Sequence, residues 1–544
     1  METERNTLKP GAGMKELALV GGLLLVVAAV VFGPHARDGG FLSDDWAIYS
    51  LLKFSDHQGF FGAIETLLGQ PNISQRPGLA IYLAAVDGVF GLHMGYYLAL
   101  AAAMGVVLAL SVYWVLRLME LPVGVAGSVS LLILLFPGAD AMRLWIVANG
   151  GQVALTLAVL GFGLAILAFR ADGAARIARH VGSVGLFAAS VLVQEVALAV
   201  ICGGLLLYLL ITPRREAVMR WAADLVVLVP IAVFVTSRSS FERQDGAGMV
   251  EHAQAIFSGA STLFTSAVLP IGVDGWFVLG AVLLVLGAAI TVARSLRPED
   301  ADRAQLRVYL TATVAGLVVV VAGYAMYVPA IDYYTPAAYG IGNRVNNVAS
   351  IGWALLLVSI VMIVTTLVGR VSLQSRRFAQ AIALVALLLV ALQYVDQLRT
   401  DAKRYQRAYT TGAAALATMQ ESVPKPPAGA MVWTFGQPIE QVPGIPVFGN
   451  TWDMTSSVQL MWRDSTIYSV PAYPDLQFDC GSGMVGPAGD LLEEGPYRVR
   501  YGKAYFVNTV TGAYAVPRNR PECLRITRKW ARSAAAAEPG GYGT

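Results

Sequence analysis

The sequence predicts a mainly α-helical protein that crosses a membrane many times and ends in a small β-rich domain. Three observations lead to this fold class. First, 56% of the 544 residues are hydrophobic and 14% are charged, whereas soluble domains carry roughly 25% charged residues. Second, apolar runs that approach the roughly 20 residues of a membrane span recur from residue 17 to residue 395. Third, the sequence beyond residue 395 is polar, with short runs of alternating apolar residues.

We predict about eleven membrane spans, the first of which contains the run Leu17 to Phe32. This span is expected to be retained, because no small-residue cleavage pattern follows it before Pro34. The region 181–212 is interpreted as two short spans, although one long or broken helix fits equally well. The predicted spans after the first are 95–117, 122–137, 149–169, 181–194, 196–212, 221–237, 274–293, 308–328, 348–369 and 378–395.

The orientation follows from the basic residues in the short loops. Lys and Arg mark cytoplasmic loops, and they concentrate in alternate connections, for example around Arg176, Arg303 and Arg376. We therefore expect a multi-pass protein of the plasma or inner membrane with a cytoplasmic N-terminus and an extracytoplasmic C-terminal domain. This alternation requires that segment 77–92 lies in the outer interface as a helix. If that segment crossed the membrane, every later loop would be inverted.

Polar residues collect at the outer ends of the predicted spans and are nearly absent from the middle of the bilayer. Transporters typically place ionisable groups near the midplane, so this distribution favours chemistry at the outer face. Glu195 is the intramembrane exception, at the outer end of a short span. The other outer polar residues are Asp140, Arg143, Asn149, Arg238, Asp274, Asp332, Arg344, Asn346 and Asn347.

The chain divides into four predicted regions. Residues 1–395 form the transmembrane part, with 34–94 as its first outer loop and juxtamembrane helices. Residues 396–428 are a helical, Pro-rich linker, 429–533 a β-rich extracytoplasmic domain, and 534–544 a disordered Ala/Gly-rich tail. Cys480 and Cys523 lie in the domain that meets an oxidising compartment, so they are predicted to form a disulfide. Cys202, inside an apolar run, is interpreted as packing.

The stretch Phe41 to Trp46 contains two adjacent carboxylates, Asp44 and Asp45, just outside the first span. Charges so close to lipid are costly and suggest function, although a solvated loop is the alternative. This arrangement resembles the GT-C glycosyltransferases, membrane enzymes that take a sugar from a polyprenyl-phosphate carrier. The resemblance covers roughly residues 15–395. It also includes Gln75-Arg76-Pro77 with the apolar segment to Phe90-Gly91, Gln194-Glu195, and Tyr339 through Asn343-Arg344.

The resemblance implies roles for individual residues. Transfer from a phosphate-linked sugar needs a general base for the acceptor hydroxyl and cations for the departing phosphate. By position in the motif, Asp44 is the predicted base, and Asp45 orients the acceptor, an arginine or a divalent ion. Arg344 is the first candidate for the phosphate, because a guanidinium can bind two oxygens at once. Arg76, Arg143 and Arg238 are further candidates.

Each candidate also has a structural interpretation. Arg344, Arg143 and Arg238 could anchor spans at the interface, and Gln194 with Glu195 could be a buried hydrogen-bonded pair. Asn343 precedes Arg344 in the motif. His57 and His93 are interpreted as interface residues rather than metal ligands. The tyrosines are interpreted mostly as an interfacial belt in which one or two could stack on a sugar; they are Tyr324, Tyr327, Tyr333, Tyr334 and Tyr339.

The sequence therefore predicts a membrane glycosyltransferase that moves a monosaccharide from a polyprenyl-phosphate donor to an envelope glycan, lipid or protein, with inversion at the anomeric carbon. One alternative is a polysaccharide polymerase or ligase that uses a diphosphate carrier, and the other is a lipid-linked sugar flippase or transporter. The sequence specifies no cofactor, and a divalent cation (Mg²⁺, Mn²⁺ or Ca²⁺) could bind the aspartate pair. The net charge of +3 is too small to indicate nucleic-acid binding.

Overall fold

A computed structural model of the chain describes residues 13–238, 245–269, 275–297, 300–330, 334–370, 372–472, 478–487 and 498–535. Up to Ser422, its secondary structure is entirely helical. The helices of this part are α1 (Met14–Asp38), α2 (Asp44–Lys53), α3 (Gly59–Leu68), α4 (Pro77–Phe90), α5 (Met94–Leu118), α6 (Val123–Leu135), α7 (Ala141–Leu144), α8 (Asn149–Phe169), α9 (Gly173–Val193), α10 (Leu198–Cys202), α11 (Gly204–Leu209), α12 (Arg214–Ser237), α13 (Gly246–Leu263), α14 (Gly275–Ser295), α15 (Ala301–Ala325), α16 (Asn347–Val368) and α17 (Leu373–Ser422).

Eight of the described helices are long and apolar enough to cross a membrane, namely α1, α5, α8, α9, α12, α15, α16 and α17. Their outward faces carry exposed Leu and Val side chains, as on α1, which suits contact with lipid. The prediction of a mainly helical, multi-pass membrane protein is therefore confirmed. The remaining three predicted spans coincide with the 13-residue α6, with α14, whose described side chains begin at Gly280, and with an interrupted segment after Val193.

The region 181–212 is a broken helix, which resolves the alternative left open by the sequence. α9 ends at Val193 and Gln194 takes an extended conformation, with φ −163° and ψ 134°. A 3₁₀ turn (Glu195–Ala197) and the short helices α10 and α11 follow. Because the chain leaves the helical path here, the Gln194 and Glu195 side chains lie at a helix end rather than along a continuous span.

Three short helices fill the loop between α1 and α5, as expected for juxtamembrane elements. Proline at the first position of α4 suits a helix start, where no backbone N–H is needed, and Gly91, with φ of 53°, ends the helix. At 14 residues, or about 21 Å, α4 is shorter than a typical span of about 20 residues. It packs against α3 and α9.

The longest element, α17, joins the membrane part to the C-terminal domain without a break. It runs for 50 residues, about 75 Å at the usual rise. Within the predicted helical linker at 396–428, the helix continues from the last span to Ser422. Its C-terminal half contacts α1, where the Gln406 side chain donates to the Pro34 carbonyl oxygen at 3.2 Å.

The C-terminal domain contains the predicted short β-strands, together with two helices. Its central strand, β1 (Met431–Phe435), is buried at all five positions and pairs in parallel with two neighbours. Parallel pairing requires long crossover connections, which the alternating runs in the sequence could not reveal. The remaining elements are β2 (Glu440–Val442), β3 (Ile445–Pro446), α18 (Thr451–Trp462), β4 (Tyr468–Pro471), β5 (Phe478–Cys480), β6 (Met484–Pro487), β7 (Val499–Arg500), β8 (Ala504–Asn508), β9 (Tyr514–Ala515) and α19 (Arg520–Ala535).

The main sheet has the strand order β4-β1-β8-β9, with β9 antiparallel to β8. The turn at 508–512 joins β8 to β9. Within it, the Asn508 carboxamide oxygen accepts the Val510 and Thr511 amides at 3.0 and 2.8 Å. Gly512 takes a φ of 71°, a conformation in which glycine is favoured.

A disulfide ties β5 to α19 in this domain. Cys480 and Cys523, the two cysteines that the sequence assigns to it, are bonded with a Cα–Cα distance of 6.0 Å. Both are buried in one apolar cluster with Trp433, Phe506 and Trp530. α19 reaches Ala535, so the predicted tail begins inside a helix, and residues 536–544 lie outside the described residues.

Candidate functional site

The aspartate pair opens α2, and its two carboxylates have different surroundings. Ser43, with φ of 49°, turns the chain sharply so that α2 begins at Asp44. Asp45 is fully buried, and its oxygens accept the Leu42 and Val147 amides at 3.0 and 2.9 Å. Burial raises the pKa of Asp45 well above its usual range. Asp45 therefore holds two loops together, while Asp44 is the partly exposed member of the pair.

Asp44 faces the C-terminal domain. Its Oδ1 accepts a hydrogen bond from the Trp452 indole N–H at 3.0 Å. Trp452 lies in the first turn of α18, which packs against α2, and the Ser50 hydroxyl donates to the Gln459 side chain across this contact at 2.9 Å. The outer domain thus contributes a side chain that touches the predicted base.

Asp453 fastens the start of α18 close to Asp44. Its carboxylate accepts the Gly449 and Asn450 amides, each at 3.1 Å. Burial raises the pKa of Asp453 to about 8, and the charge of Asp44 acts in the same direction. Because Asp453 is fully buried, it supports the helix that carries Trp452 and does not reach the surface.

Trp145 connects the aspartate loop to the predicted phosphate ligand. Its indole N–H donates to the Leu42 carbonyl oxygen at 3.1 Å. The guanidinium carbon of Arg344 lies 5.1 Å from the centre of the Trp145 ring and 5.5 Å from that of Tyr334. These distances are typical of cation–π contacts. Asp44 and Arg344, which are 300 positions apart in the sequence, are therefore brought to one region through a single buried tryptophan.

The backbone of Arg344 is anchored by asparagines in its 3₁₀ turn (Ile341–Asn346). Asn343 donates to the Asp140 carboxylate at 2.6 Å and accepts the Ala141 amide at 3.1 Å. Burial raises the pKa of Asp140 well above its usual range, and the charge of Asp401 on α17 raises it further. Asn346 donates to the Gly138 carbonyl oxygen at 2.6 Å. Asn343 is thus a positioning residue that fixes Arg344 against the loop bearing Trp145.

Arg76 and Glu195 form an ion pair beside this cluster. The Arg76 Nε donates to Glu195 Oε2 at 2.9 Å, and a second bond joins the same two groups. The side chains are 15% and 23% exposed. Each charge is therefore matched by an opposite charge in a largely buried site. The hydroxyls of Tyr327 and Tyr334 lie close enough to act electrostatically on Arg76.

Removing one member of this pair is expected to destabilise the protein. Arg76→Ala leaves the Glu195 carboxylate largely buried without its counter-ion, so we expect a loss of about 2–3 kcal/mol, less than for a fully buried pair. The double variant Arg76→Gln/Glu195→Gln should recover most of this loss. Thermal unfolding of the purified protein in detergent measures both. An unchanged melting temperature for Arg76→Ala, together with lost donor binding, would instead make Arg76 a ligand.

The other predicted site residues lie apart from this cluster. Arg143 is buried, donates to the Phe136 carbonyl oxygen at 2.6 Å, and packs against Phe32. Arg238 is exposed over the Phe234 ring at the end of its own helix. His57 is exposed, and its Nδ1 lies 3.5 Å from Glu65.

Two further candidates flank the cluster, and one cannot be placed. The ring of Tyr339 lies beneath the Arg404 guanidinium at 4.9 Å. Gln194 points at the start of α8, where a Cβ on Gly151 would come within 3.0 Å of its carboxamide oxygen. Tyr333 lies outside the described residues, as do Asp274 and Asp332.

Sequence reasoning missed Trp145 and Trp452. Trp145 follows Asp140 and Arg143 in a predicted outer loop, and an interfacial tryptophan there would have been a usable signal. Trp452 follows Asn450, which with Asp453 forms a capping box for α18, but its partner lies 408 positions away. The sequence around Trp452 therefore does not indicate its contact with Asp44.

No metal site is evident among residues for which the structure gives positions, since no three His, Cys, Asp or Glu side chains converge there. Both oxygens of Asp45 already accept backbone amides, so Asp44 is the member of the pair that a cation could reach. A divalent cation therefore stays a prediction.

An apolar groove of about 620 Å³ runs along α13. Val328 also lines it, and the next residue in the sequence, Tyr327, stacks on Tyr334 with 5.9 Å between ring centres. Tyr334 in turn contacts Arg344. Its lining residues are Gly246, Met249, Val250, Ala253, Gln254, Phe257 and Val328.

Comparison with known proteins finds similarity of structure but not of sequence. No protein-family model and no curated protein matches the sequence. Among the solved structures that match is the crystal structure of ArnT from Cupriavidus metallidurans bound to undecaprenyl phosphate. It covers 82% of this chain and 85% of that one, with a TM-score of 0.43 and 14% sequence identity. A likeness at this level identifies no residue and no activity of this chain.

Proposed function

We propose that this protein is a membrane glycosyltransferase that moves a monosaccharide from a polyprenyl-phosphate donor to an acceptor of the cell envelope. The observation that carries the proposal is the position of Trp145, whose indole N–H bonds Leu42 in the loop just before Asp44 and whose ring lies against Arg344. Such a transfer needs a base, here a carboxylate, to accept the proton of the acceptor hydroxyl. It also needs a cation, here a guanidinium, to stabilise the departing phosphate.

In the proposed reaction, Asp44 accepts the proton of the acceptor hydroxyl as that oxygen bonds to the anomeric carbon. The bond between that carbon and the phosphate oxygen breaks, and its electron pair leaves with the polyprenyl phosphate. Arg344 stabilises the charge that develops on the phosphate. A single displacement of this kind inverts the anomeric centre. Trp145 supports both ends, because its indole N–H holds the aspartate loop and its ring carries the guanidinium.

The apolar groove along α13 suits the polyprenyl tail of the donor. It is lined almost entirely by apolar side chains. One lining residue, Val328, is adjacent in sequence to Tyr327, which stacks on Tyr334. The proposed donor places its hydrocarbon in the groove and its phosphate at Arg344.

A transfer assay tests this proposal. The purified protein in nanodiscs is given a panel of radiolabelled polyprenyl-phosphate sugars with an envelope extract as acceptor. We expect label to move from one phosphate donor to a product that retains no polyprenyl chain of the donor. Transfer from polyprenyl-diphosphate donors alone would indicate a polymerase or ligase, and movement of intact donor between leaflets without transfer would indicate a flippase.

We further propose that the N-terminus is cytoplasmic and that the C-terminal domain lies outside the membrane. The basic loops support this orientation, which requires α4 to lie in the outer interface rather than across the membrane. Reporter fusions after Arg176, Arg303 and Gln374 are expected to report a cytoplasmic location, and a fusion after Gly429 an external one. A cytoplasmic signal from the Gly429 fusion would disprove the orientation.

A further inference from the structure

The C-terminal domain places an exposed aromatic ring directly beside the proposed base. Trp452 is 50% exposed, although its polar edge is already bonded to Asp44 Oδ1 at 3.0 Å. A tryptophan can bury roughly 150–250 Å², so about half of a large apolar surface faces solvent here. Because the indole N–H already donates to Asp44, it does not require a water molecule as a partner. The same bond holds the ring in one orientation.

The segment that carries Trp452 is held rigidly. Asp453 caps the helix through the Gly449 and Asn450 amides. In the next turn, the Thr455 hydroxyl donates to the Ser469 carbonyl oxygen at 2.6 Å. α18 as a whole packs on α2. A surface tryptophan fixed from both sides in this way is suited to binding a flat, partly apolar ligand without a large entropic cost.

We propose that Trp452 is a binding platform for a sugar ring of the acceptor, and hence that the acceptor is a glycan. This inference rests on the proposed function, in which Asp44 takes the proton of the acceptor hydroxyl. A group bonded to that carboxylate must lie beside the acceptor rather than beside the donor phosphate, which is assigned to Arg344. One face of a sugar ring presents C–H groups, and these match the negatively charged face of an indole. A peptide acceptor offers no such face in general.

Trp452 has a second effect through the same contact. Because its N–H occupies Oδ1 of Asp44, the other oxygen is the one that meets the acceptor hydroxyl. Trp452 is therefore a positioning residue for the base as well as a surface for the sugar. These two roles can be separated, because a phenylalanine keeps a stacking ring and lacks the N–H donor.

Binding and transfer are measured together for wild type, Trp452→Ala and Trp452→Phe, with Tyr514→Ala as the control. Tyr514 is a 44% exposed aromatic of the same domain, on β9. The probe is a set of fluorescently labelled oligosaccharides, made by partial acid hydrolysis of the envelope polysaccharide and separated by size. Equilibrium dialysis gives Kd without any donor present, and steady-state transfer gives kcat and the acceptor KM.

We expect Trp452→Ala to weaken oligosaccharide binding and raise the acceptor KM by about tenfold or more, as for a central aromatic contact. Trp452→Phe should bind within a few-fold of wild type but show a lower kcat. Tyr514→Ala should match wild type. The platform is disproved if the wild type binds none of the oligosaccharide fractions. It is also disproved if Trp452→Ala binds as tightly as wild type, or if Tyr514→Ala binds more weakly than wild type. Should Trp452→Ala fail to fold, a loss of binding in Trp452→Phe would also disprove it.

The two proposals fail in different ways. Oligosaccharide binding that depends on Trp452, without transfer from any polyprenyl-phosphate sugar, would support the platform and refute the proposed function. Transfer with an acceptor KM that is the same in Trp452→Ala and wild type would support the function and refute the platform.

Discussion

Asp44→Asn is expected to reduce sugar transfer by about 10²- to 10⁴-fold, the usual cost of losing a general base. An amide keeps the size of the side chain and can still accept the Trp452 N–H on its oxygen, but it cannot take the acceptor proton. Because Asp44 is partly exposed and makes no bond to its own loop, the melting temperature and donor binding should stay close to wild type. The measurement combines single-donor transfer rates with thermal unfolding.

Asp45→Asn is the matched control, because it makes the same chemical change at the neighbouring position. Both Asp45 oxygens accept backbone amides in a fully buried site. An Asn side chain would turn an N–H₂ group toward one of those donors, so this variant should lose stability. Near-normal turnover by Asp44→Asn with an unchanged melting curve would show that Asp44 is a solvated loop residue, and the proposed function would lose its main support.

In the membrane part, hydropathy alone predicts where most of the long helices lie. The starts and ends of α5, α8 and α16 lie within one residue of the predicted limits, since a bilayer demands long apolar runs. α12 begins at Arg214, seven residues before its predicted start, because its first two turns are polar and hydropathy does not detect them. In α17 the polar part continues as a helix to Ser422, where it contacts α1 and the C-terminal domain.

The candidate site was predictable where its residues mark a boundary of the membrane. Asp44 follows the first span and Arg344 precedes α16, so both are visible as polar residues beside long apolar runs. Arg143 shows the opposite outcome. It looked like an interfacial arginine, but the loop at 137–148 folds inward and buries it against Phe32 and the Phe136 carbonyl. Contacts between distant segments, such as that of Trp452 with Asp44, depend on the packing of a separate domain.

Arg344→Lys is expected to weaken use of the donor by about 10- to 100-fold in kcat/KM, equivalent to the loss of one or two charge-assisted hydrogen bonds. A guanidinium is flat, stacks on aromatic rings, and can present two N–H groups to a phosphate. Arg344 already lies over the Trp145 and Tyr334 rings. Lysine keeps the charge, but its ammonium group cannot combine stacking with a two-pronged contact.

Arg238→Lys provides the matched control for this substitution. Arg238 also lies over an aromatic ring, that of Phe234, but it is exposed, and among the described residues no contact joins it to the cluster around Trp145. We expect its transfer kinetics to be the same as those of wild type. Donor KM and kcat are measured for both variants with the same polyprenyl-phosphate sugar. If Arg344→Lys also matches wild type, Arg344 does not hold the phosphate. Its contact with Trp145, beside the loop that carries Asp44, would then be structural.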